Sequence, residues 1–412
     1  MLIRSLTSSA LLLALLISQS LSAGDLERRQ AKRIHDRLTG VPPSATVLDS
    51  MEAALIADDT GKTAAEIALA DPAFYNVTLK NWVAPWTNEE QTIFTPLNDY
   101  TATIIGMVRD DEDFRQILYG DILYTGSNSL GISDYSNSNN NHYEELEALG
   151  PVVGDLSNPS ILVQQTQSAV THLDSNATAG VITTRASARA FLVLGTNRAL
   201  FRFTMLNHLC SDLEQIKDNS RTPDRVHQDA SRSPGGDSQI YLNSCVGCHA
   251  GMDGLLGAYA YYDLEFSGAS EGELVENTAQ IEYTPNSVQP KYLINANNFK
   301  QGYITTDDSW INYWRNGPNA LLGWNNDYPG IQIDAKGHSY GNGAKTMGME
   351  LAHSDAFAQC QVKKAFKTVC FRDPDNYAAD RTEVSSIVTD FKAGGFKMKQ
   401  VFRDVAAYCK GN

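Results

Sequence analysis

The segment Cys245-Val-Gly-Cys248-His249 constrains this chain more than any other part of its sequence. Two thiols at this spacing lie about one helical turn apart, so both can add to the vinyl groups of one haem. The adjacent His249 then gives a ring nitrogen to the iron as the proximal ligand. We therefore expect one covalently attached haem c, held by Cys245, Cys248 and His249.

The C-x-x-C spacing also occurs in thioredoxin-like redox sites, in zinc sites and in plain disulfides. A thioredoxin-like site opens a helix after a strand of a βαβ unit, and no such pattern surrounds Cys245. A zinc site needs a second pair of ligands nearby, and Cys360 and Cys370 have the wrong spacing for that role. Covalent haem attachment is therefore the favoured interpretation.

The first 23 residues have the layout of a secretory signal peptide. Arg4 supplies a positive start, residues 10–17 are apolar, and Ser22 and Ala23 are small residues at which cleavage is expected. The apolar stretch is short for a membrane span and a charged stretch follows at once. A retained N-terminal anchor is the alternative. We expect a periplasmic or secreted protein whose mature chain has no membrane span.

Four further cysteines lie outside the motif, namely Cys210, Cys360, Cys370 and Cys409. An even number of cysteines in an oxidising compartment predicts two disulfides. Four cysteines allow three pairings, and the sequence does not choose among them.

The chain is acidic, with a formal net charge of −15 that becomes −16 when a leader containing Arg4 is removed. Such a charge argues against nucleic acid and anionic membranes as partners. It is consistent with good solubility or with a basic partner. The expected partner is a redox protein, which the sequence does not identify.

Helical patterns along the chain predict a mainly α protein. The stretch 266–345 is rich in Gly, Asn, Tyr and Trp with little periodicity, so we expect an irregular insertion with at most short strands. The predicted regions are a signal peptide (1–23), an N-terminal helical region (24–175), a cytochrome c-like haem region (176–265), the insertion (266–345) and a C-terminal helical region that completes the haem domain (346–412).

The last third of the chain shows clear helical order. Ser354 is placed to cap a helix that runs to Cys370, and Asp380 with Glu383 has the spacing of a capping box at the start of the next helix. That helix and the final helix after it each carry one apolar face at helical spacing. The residues of these faces are Val384, Ile387, Val388 and Phe391, and then Met398, Val401, Phe402 and Val405.

Residues 249–263 resemble the segment that follows the haem motif in the planctomycete-type secreted cytochromes, a family built from domains of unknown function around C-x-x-C-H-x-x-M-D. Met252 and Asp253 match this pattern, whereas Gly254 stands where the family usually has Pro. Residues 184–210 and 354–366 are similar to other blocks of that family. The resemblance implies a secreted protein with a single haem and a redox role.

A methionine on the distal side would raise the potential of the iron and favour electron transfer. Met347 and Met349 lie in a Gly-rich loop about a hundred residues after His249, so Met347 is the first candidate distal ligand and Met349 the second. Met252 is too close to His249 in sequence to reach the opposite face readily. The alternatives are His208, His338 and His353.

These features predict an exported cytochrome that transfers single electrons to or from a partner. One alternative is a haem enzyme with an open distal face, acting on peroxide or a similar small oxidant. Another is a structural or substrate-binding protein that carries a haem module, because most of the chain lies outside the motif. An electron carrier is favoured over a catalyst, and no catalytic residue is assigned.

Overall fold

The chain consists mainly of α-helices, which confirms the predicted fold class. The computed structural model describes residues 25–192, 197–266, 279–293 and 302–411, so the predicted leader lies outside the described residues. In chain order the helices are α1 (residues 25–39), α2 (Ala45–Ala57), α3 (Lys62–Leu69), α4 (Lys80–Val83), α5 (Asp99–Arg109), α6 (Asn141–Ala148), α7 (Gly150–Val153), α8 (Gln167–Thr171), α9 (Arg185–Phe191), α10 (Arg198–Leu209), α11 (Ser238–Ile240), α12 (Val246–Leu256), α13 (Gly343–Ala352), α14 (Asp355–Cys370), α15 (Ala378–Ala393) and α16 (Met398–Tyr408).

The strands are short and pair antiparallel. They are β1 (Leu123–Gly126), β2 (Leu162–Gln165), β3 (Tyr262–Phe266), β4 (Ala279–Tyr283), β5 (Ser309–Asn312), β6 (Gln332–Ile333) and β7 (Ser339–Asn342). β1 pairs with β2, β3 pairs with β4, and β7 lies between β5 and β6. The described strands of the predicted insertion are thus between two and five residues long.

The chain divides into two compact units. Unit 1 holds the described residues up to Leu79, together with Val362–Gly394 and the described residues from Met398 onward. Unit 2 holds Lys80–Gln361 and Gly395–Lys397, and it contains the C-x-x-C-H motif. The predicted region boundaries at residues 175, 265 and 345 stay predictions.

In unit 1 the last two helices bury the faces that the periodicity predicted. All eight apolar residues of the two predicted faces in α15 and α16 are buried. Phe402 of α16 packs edge-on against Phe74, with ring centroids 5.1 Å apart. A disulfide between Cys370, at the end of α14, and Cys409, just after α16, ties these elements together across a Cα–Cα distance of 5.6 Å.

The predicted capping box at Asp380 is wrong. Helix α15 begins two residues earlier, at Ala378, and its N-cap Tyr377 makes no side-chain cap. The Asp380 carboxylate instead accepts hydrogen bonds from the Arg372 guanidinium at 2.7 and 2.8 Å and from the Tyr408 hydroxyl at 2.8 Å. Tertiary partners therefore displace the local cap, because a bidentate arginine is a stronger donor pair than one backbone N–H.

In unit 2 the motif helix α12 packs between α10 and β5. The second disulfide, Cys210–Cys360, links the residue after α10 to α14 across a Cα–Cα distance of 5.2 Å. Ser354 caps α14 as predicted, since its Oγ accepts from the Phe357 N–H at 3.2 Å. None of the helices in the described residues is long and apolar enough to cross a membrane.

Candidate haem site

The motif lies at the start of a helix whose glycines allow close packing on one side. Residues Tyr241–Cys245 form a π-helical turn that leads into α12. A Cβ added at Gly251 would lie 2.0 Å from Trp314 Nε1, and one added at Gly257 would lie 2.2 Å from the Ser309 carbonyl oxygen. Side chains at these positions are therefore excluded, and α12 lies directly against β5 and the turn that follows it.

A cavity of about 470 Å³ lies alongside α10 and α12 and is called the motif cavity below. Its lining combines apolar, cationic and sulfur-bearing side chains. The lining residues are Glu89, Arg198, Ala199, Arg202, Phe203, Leu213, Ser244, Cys245, Cys248, His249 and Met252. The volume falls within the range usual for small-molecule and cofactor sites.

The three residues predicted to hold haem all border this cavity. Cys245 and Cys248 are half-buried and form no disulfide, whereas the other four cysteines are paired. Burial raises the pKa of the Cys248 thiol, which is the opposite of the lowered pKa that activates thiols in thioredoxin-like sites. Two thiols free of disulfides and one imidazole therefore face a common space.

One nitrogen of His249 is held by a carboxylate. Its Nδ1 lies 3.0 and 3.1 Å from the two Asp253 oxygens, one helical turn further along α12. An ionised carboxylate only accepts, so Nδ1 carries a proton and Nε2 is the ring nitrogen left for a metal. Metal-bound histidines have this arrangement, with the second nitrogen donating to a carboxylate or carbonyl that fixes the ring.

Asp253 is the centre of a buried ionic network. Its oxygens lie 3.3 Å from Arg198 Nε and 3.2 Å from Arg198 Nη2, and they accept from the His227 backbone N–H at 3.2 Å. Arg198 also donates two bonds to Asp229, at 2.6 and 2.9 Å. Burial by itself would raise the pKa of Asp253, but Arg198 and His249 hold that pKa well below its usual range.

These residues fit a covalently bound haem. Phe203, Leu213 and Met252 supply apolar surface, and Arg202 offers a cation beside the two thiols. Within the described ranges no three His, Cys, Asp or Glu side chains come together as a direct metal site. Haem iron does not require such a cluster, because the macrocycle supplies four ligands and the protein adds one or two.

The structure does not bring the candidate distal methionines to the motif cavity. Met347 is buried within α13 and Met349 is half-buried there. α13 packs on the turn Phe114–Leu118, and a Cβ added at Gly348 would lie 1.8 Å from the Leu118 carbonyl oxygen. Of the methionines in the described residues, Met252 is the one that borders the cavity.

The three alternative histidines are engaged elsewhere in unit 2. His208 is fully buried, and its Nε2 lies 2.8 Å from the Tyr100 hydroxyl. His338 bonds to Asp334 through Nδ1 at 3.1 Å. His353 donates from Nδ1 to the Met349 carbonyl at 2.8 Å, and its ring stacks on a neighbouring tyrosine.

Sequence reasoning missed the partners of His249. Asp253 was noted only as part of the resembling segment, although its position four residues after His249 places it one turn away on the same helix face. Arg198 and Asp229 lie 55 and 24 positions from Asp253 in the sequence, so no local pattern connects them. His227 is likewise brought in by tertiary packing.

No protein-family model matches this chain, and neither the curated proteins nor the solved structures contain a significant match. The resemblance to planctomycete-type cytochromes therefore stays a prediction that rests on the motif residues.

Proposed function

We propose that this chain is an exported monohaem c-type cytochrome of the planctomycete type that transfers single electrons. Cys245 and Cys248 would hold the haem through thioether bonds, and His249 would be the proximal iron ligand. The observation that carries this proposal is the shared cavity: the two cysteines that form no disulfide and the orientated His249 border one space.

The bound haem supplies an iron that exchanges one electron between its ferrous and ferric states. The residues around the motif orient His249 and hold α12 in place. Asp253 holds the His249 ring in one tautomer, and α12 is held in turn by its close contact with β5. Phe203 and Leu213 add apolar surface to the cavity wall, which lowers the local dielectric constant around the site.

Export to the periplasm or beyond is part of the same proposal. Disulfides persist in oxidising compartments, and unit 1 and unit 2 each contain one. Attachment of haem c after export is consistent with the leader-like sequence over residues 1–23. The formal charge of −15 favours a basic redox partner, because opposite charges accelerate encounter.

Covalent attachment is tested by replacing the motif cysteines. The protein is expressed with its own leader in a host that attaches haem c, and haem is assayed by pyridine haemochrome and acid-acetone extraction. We expect haem that resists extraction in the wild type and loss of that haem in the Cys245→Ala, Cys248→Ala double variant. The control replaces Cys370 and Cys409 by Ala, which removes a disulfide in unit 1 and leaves attached haem. Haem that stays attached in the double motif variant contradicts the proposal.

The cavity lining favours a second candidate function, a haem with an exchangeable distal position. Two arginines of α10, Arg198 and Arg202, border the motif cavity, and guanidinium groups bind small anions and polar ligands. Met347, the predicted distal ligand, lies instead in α13. Rapid cyanide binding with a high-spin ferric spectrum would support this function. A ferric band at about 695 nm, which is typical of His/Met ligation, would favour the electron carrier.

A further inference from the structure

The hydrogen-bond acceptor at Nδ1 of His249 is an ionised side chain, that of Asp253. A neutral backbone carbonyl at the same place would also fix the ring. Nδ1 of His249 faces both oxygens of Asp253 at 3.0 and 3.1 Å, and Asp253 is 1% exposed. A carboxylate draws the Nδ1 proton more strongly than a carbonyl does. The imidazole then becomes a more basic, more strongly donating ligand at Nε2.

Asp253 shares its ion pair to Arg198 with a second buried carboxylate, Asp229. The network consists of two carboxylates, Asp253 and Asp229, and one guanidinium, Arg198, which bridges them. The guanidinium is therefore divided between two buried carboxylates, so it does not belong to Asp253 alone. Burial lowers the pKa of the adjacent His227, so that ring adds no compensating positive charge at neutral pH.

We propose that Asp253 is a positioning residue that lowers the reduction potential of the haem bound at His249. The inference rests on the proposed function, namely that His249 is the proximal iron ligand. Ferric haem carries one positive charge more than ferrous haem, so a buried anion behind the ligand stabilises the ferric state. Reduction adds one electron from the redox partner, and no covalent bond of the protein forms or breaks.

Two contributions would lower the reduction potential, and experiment can separate them. The bond from His249 to Asp253 changes the donor strength of the ligand itself, whereas the charge of Asp229 acts only through space. Asp229 bonds to Arg198 and is not among the hydrogen-bond partners of His249. It is therefore the matched control: the same charge change in the same network, one step further from the iron ligand.

The experiment is a spectroelectrochemical titration of the haem-loaded wild type and of Asp253→Asn and Asp229→Asn. Both substitutions keep side-chain size and remove one charge. We expect Asp253→Asn to raise the midpoint potential by at least about 59 mV, which is a tenfold change in the one-electron equilibrium. Asp229→Asn is expected to raise it by a smaller amount.

The outcomes separate this inference from the proposed function. Absence of covalent haem in the wild type overturns the proposed function and the inference with it. Haem-loaded Asp253→Asn with an unchanged or lower midpoint overturns the inference alone, as does a shift no larger than that of Asp229→Asn. Should Asp253→Asn fail to load haem, the same titration is made with Asp253→Ser, and a midpoint no higher than that of Asp229→Asn overturns the inference.

Discussion

Arg198 offsets the free-energy cost of burying the two carboxylates of the candidate site. Arg198 forms ion pairs with both Asp253 and Asp229, which are almost fully buried. Buried charges are stable only when they are paired and hydrogen-bonded, because the interior does not replace their hydration. None of the local patterns in the sequence reveals this triad, since its members are held together only by the folded chain.

Replacement of Arg198 by Gln is expected to destabilise the protein by about 3 kcal/mol, because it leaves two buried carboxylates without their cation. The measurement is urea unfolding at neutral pH followed by circular dichroism. The control is Arg202→Gln, one turn along the same helix, where the arginine side chain is 47% exposed and pairs with Asp212. Its expected cost is below about 1 kcal/mol. Equal costs for the two variants would contradict this account of the network.

The Asp380 carboxylate should confer acid sensitivity on unit 1. The Arg372 guanidinium, outweighing burial, and the Tyr408 hydroxyl hold the pKa of Asp380 below its ordinary value of 3.8. A folded-state pKa below the unfolded one adds stability that is present above about pH 4 and is lost as the pH falls through the folded value. We expect urea midpoints between pH 2 and 6 to fall less steeply on the acid side in Asp380→Asn than in the wild type. The exposed Asp390, on the same helix, is the control, and Asp390→Asn should keep the wild-type profile. An unaltered profile in Asp380→Asn would contradict the role of this carboxylate.

At the scale of elements, periodicity predicted correctly which helix faces are buried. It predicted a helix start wrongly where tertiary partners bind the side chain expected to cap the helix. The faces of α15 and α16 are buried as their spacing predicted. The start of α15 was wrong because Asp380 is used by Arg372 and Tyr408. The position of Met347 in a Gly-rich segment suggested a loop, but α13 begins at Gly343 and carries Met347 into a packed helix.

The close packing of Gly251 in α12 reverses the usual effect of Gly→Ala on stability. In an open helix, Gly→Ala stabilises by about 0.5–1 kcal/mol. At Gly251 the added methyl would lie 2.0 Å from Trp314 Nε1, so we expect Gly251→Ala to destabilise by about 1–3 kcal/mol in urea unfolding. Trp314→Phe replaces the indole, whose three nearest atoms lie within 2.9 Å of the added methyl, by a smaller ring, so the cost of Gly251→Ala should be smaller in that background. A stabilising effect of Gly251→Ala alone would contradict the close approach of α12 to this tryptophan.

At the scale of the whole molecule, the six cysteines divide into two chemical classes. The sequence predicted two disulfides and left three pairings open, and the structure contains Cys210–Cys360 and Cys370–Cys409. Spacing alone could not choose between them because the partners are 150 and 39 residues apart. The motif cysteines, recognised from five consecutive residues, were the part of the site that the sequence could predict.

The central claim is tested most directly by mass spectrometry of a non-reduced tryptic digest of the exported protein. Cleavage after Arg232 and Lys291 gives one peptide that contains both motif cysteines. We predict that this peptide carries the mass of one haem, whereas the other four cysteines appear as the two disulfide-linked pairs of the structure. An unmodified peptide, or one closed by a Cys245–Cys248 disulfide, would contradict the assignment of this protein as a c-type cytochrome.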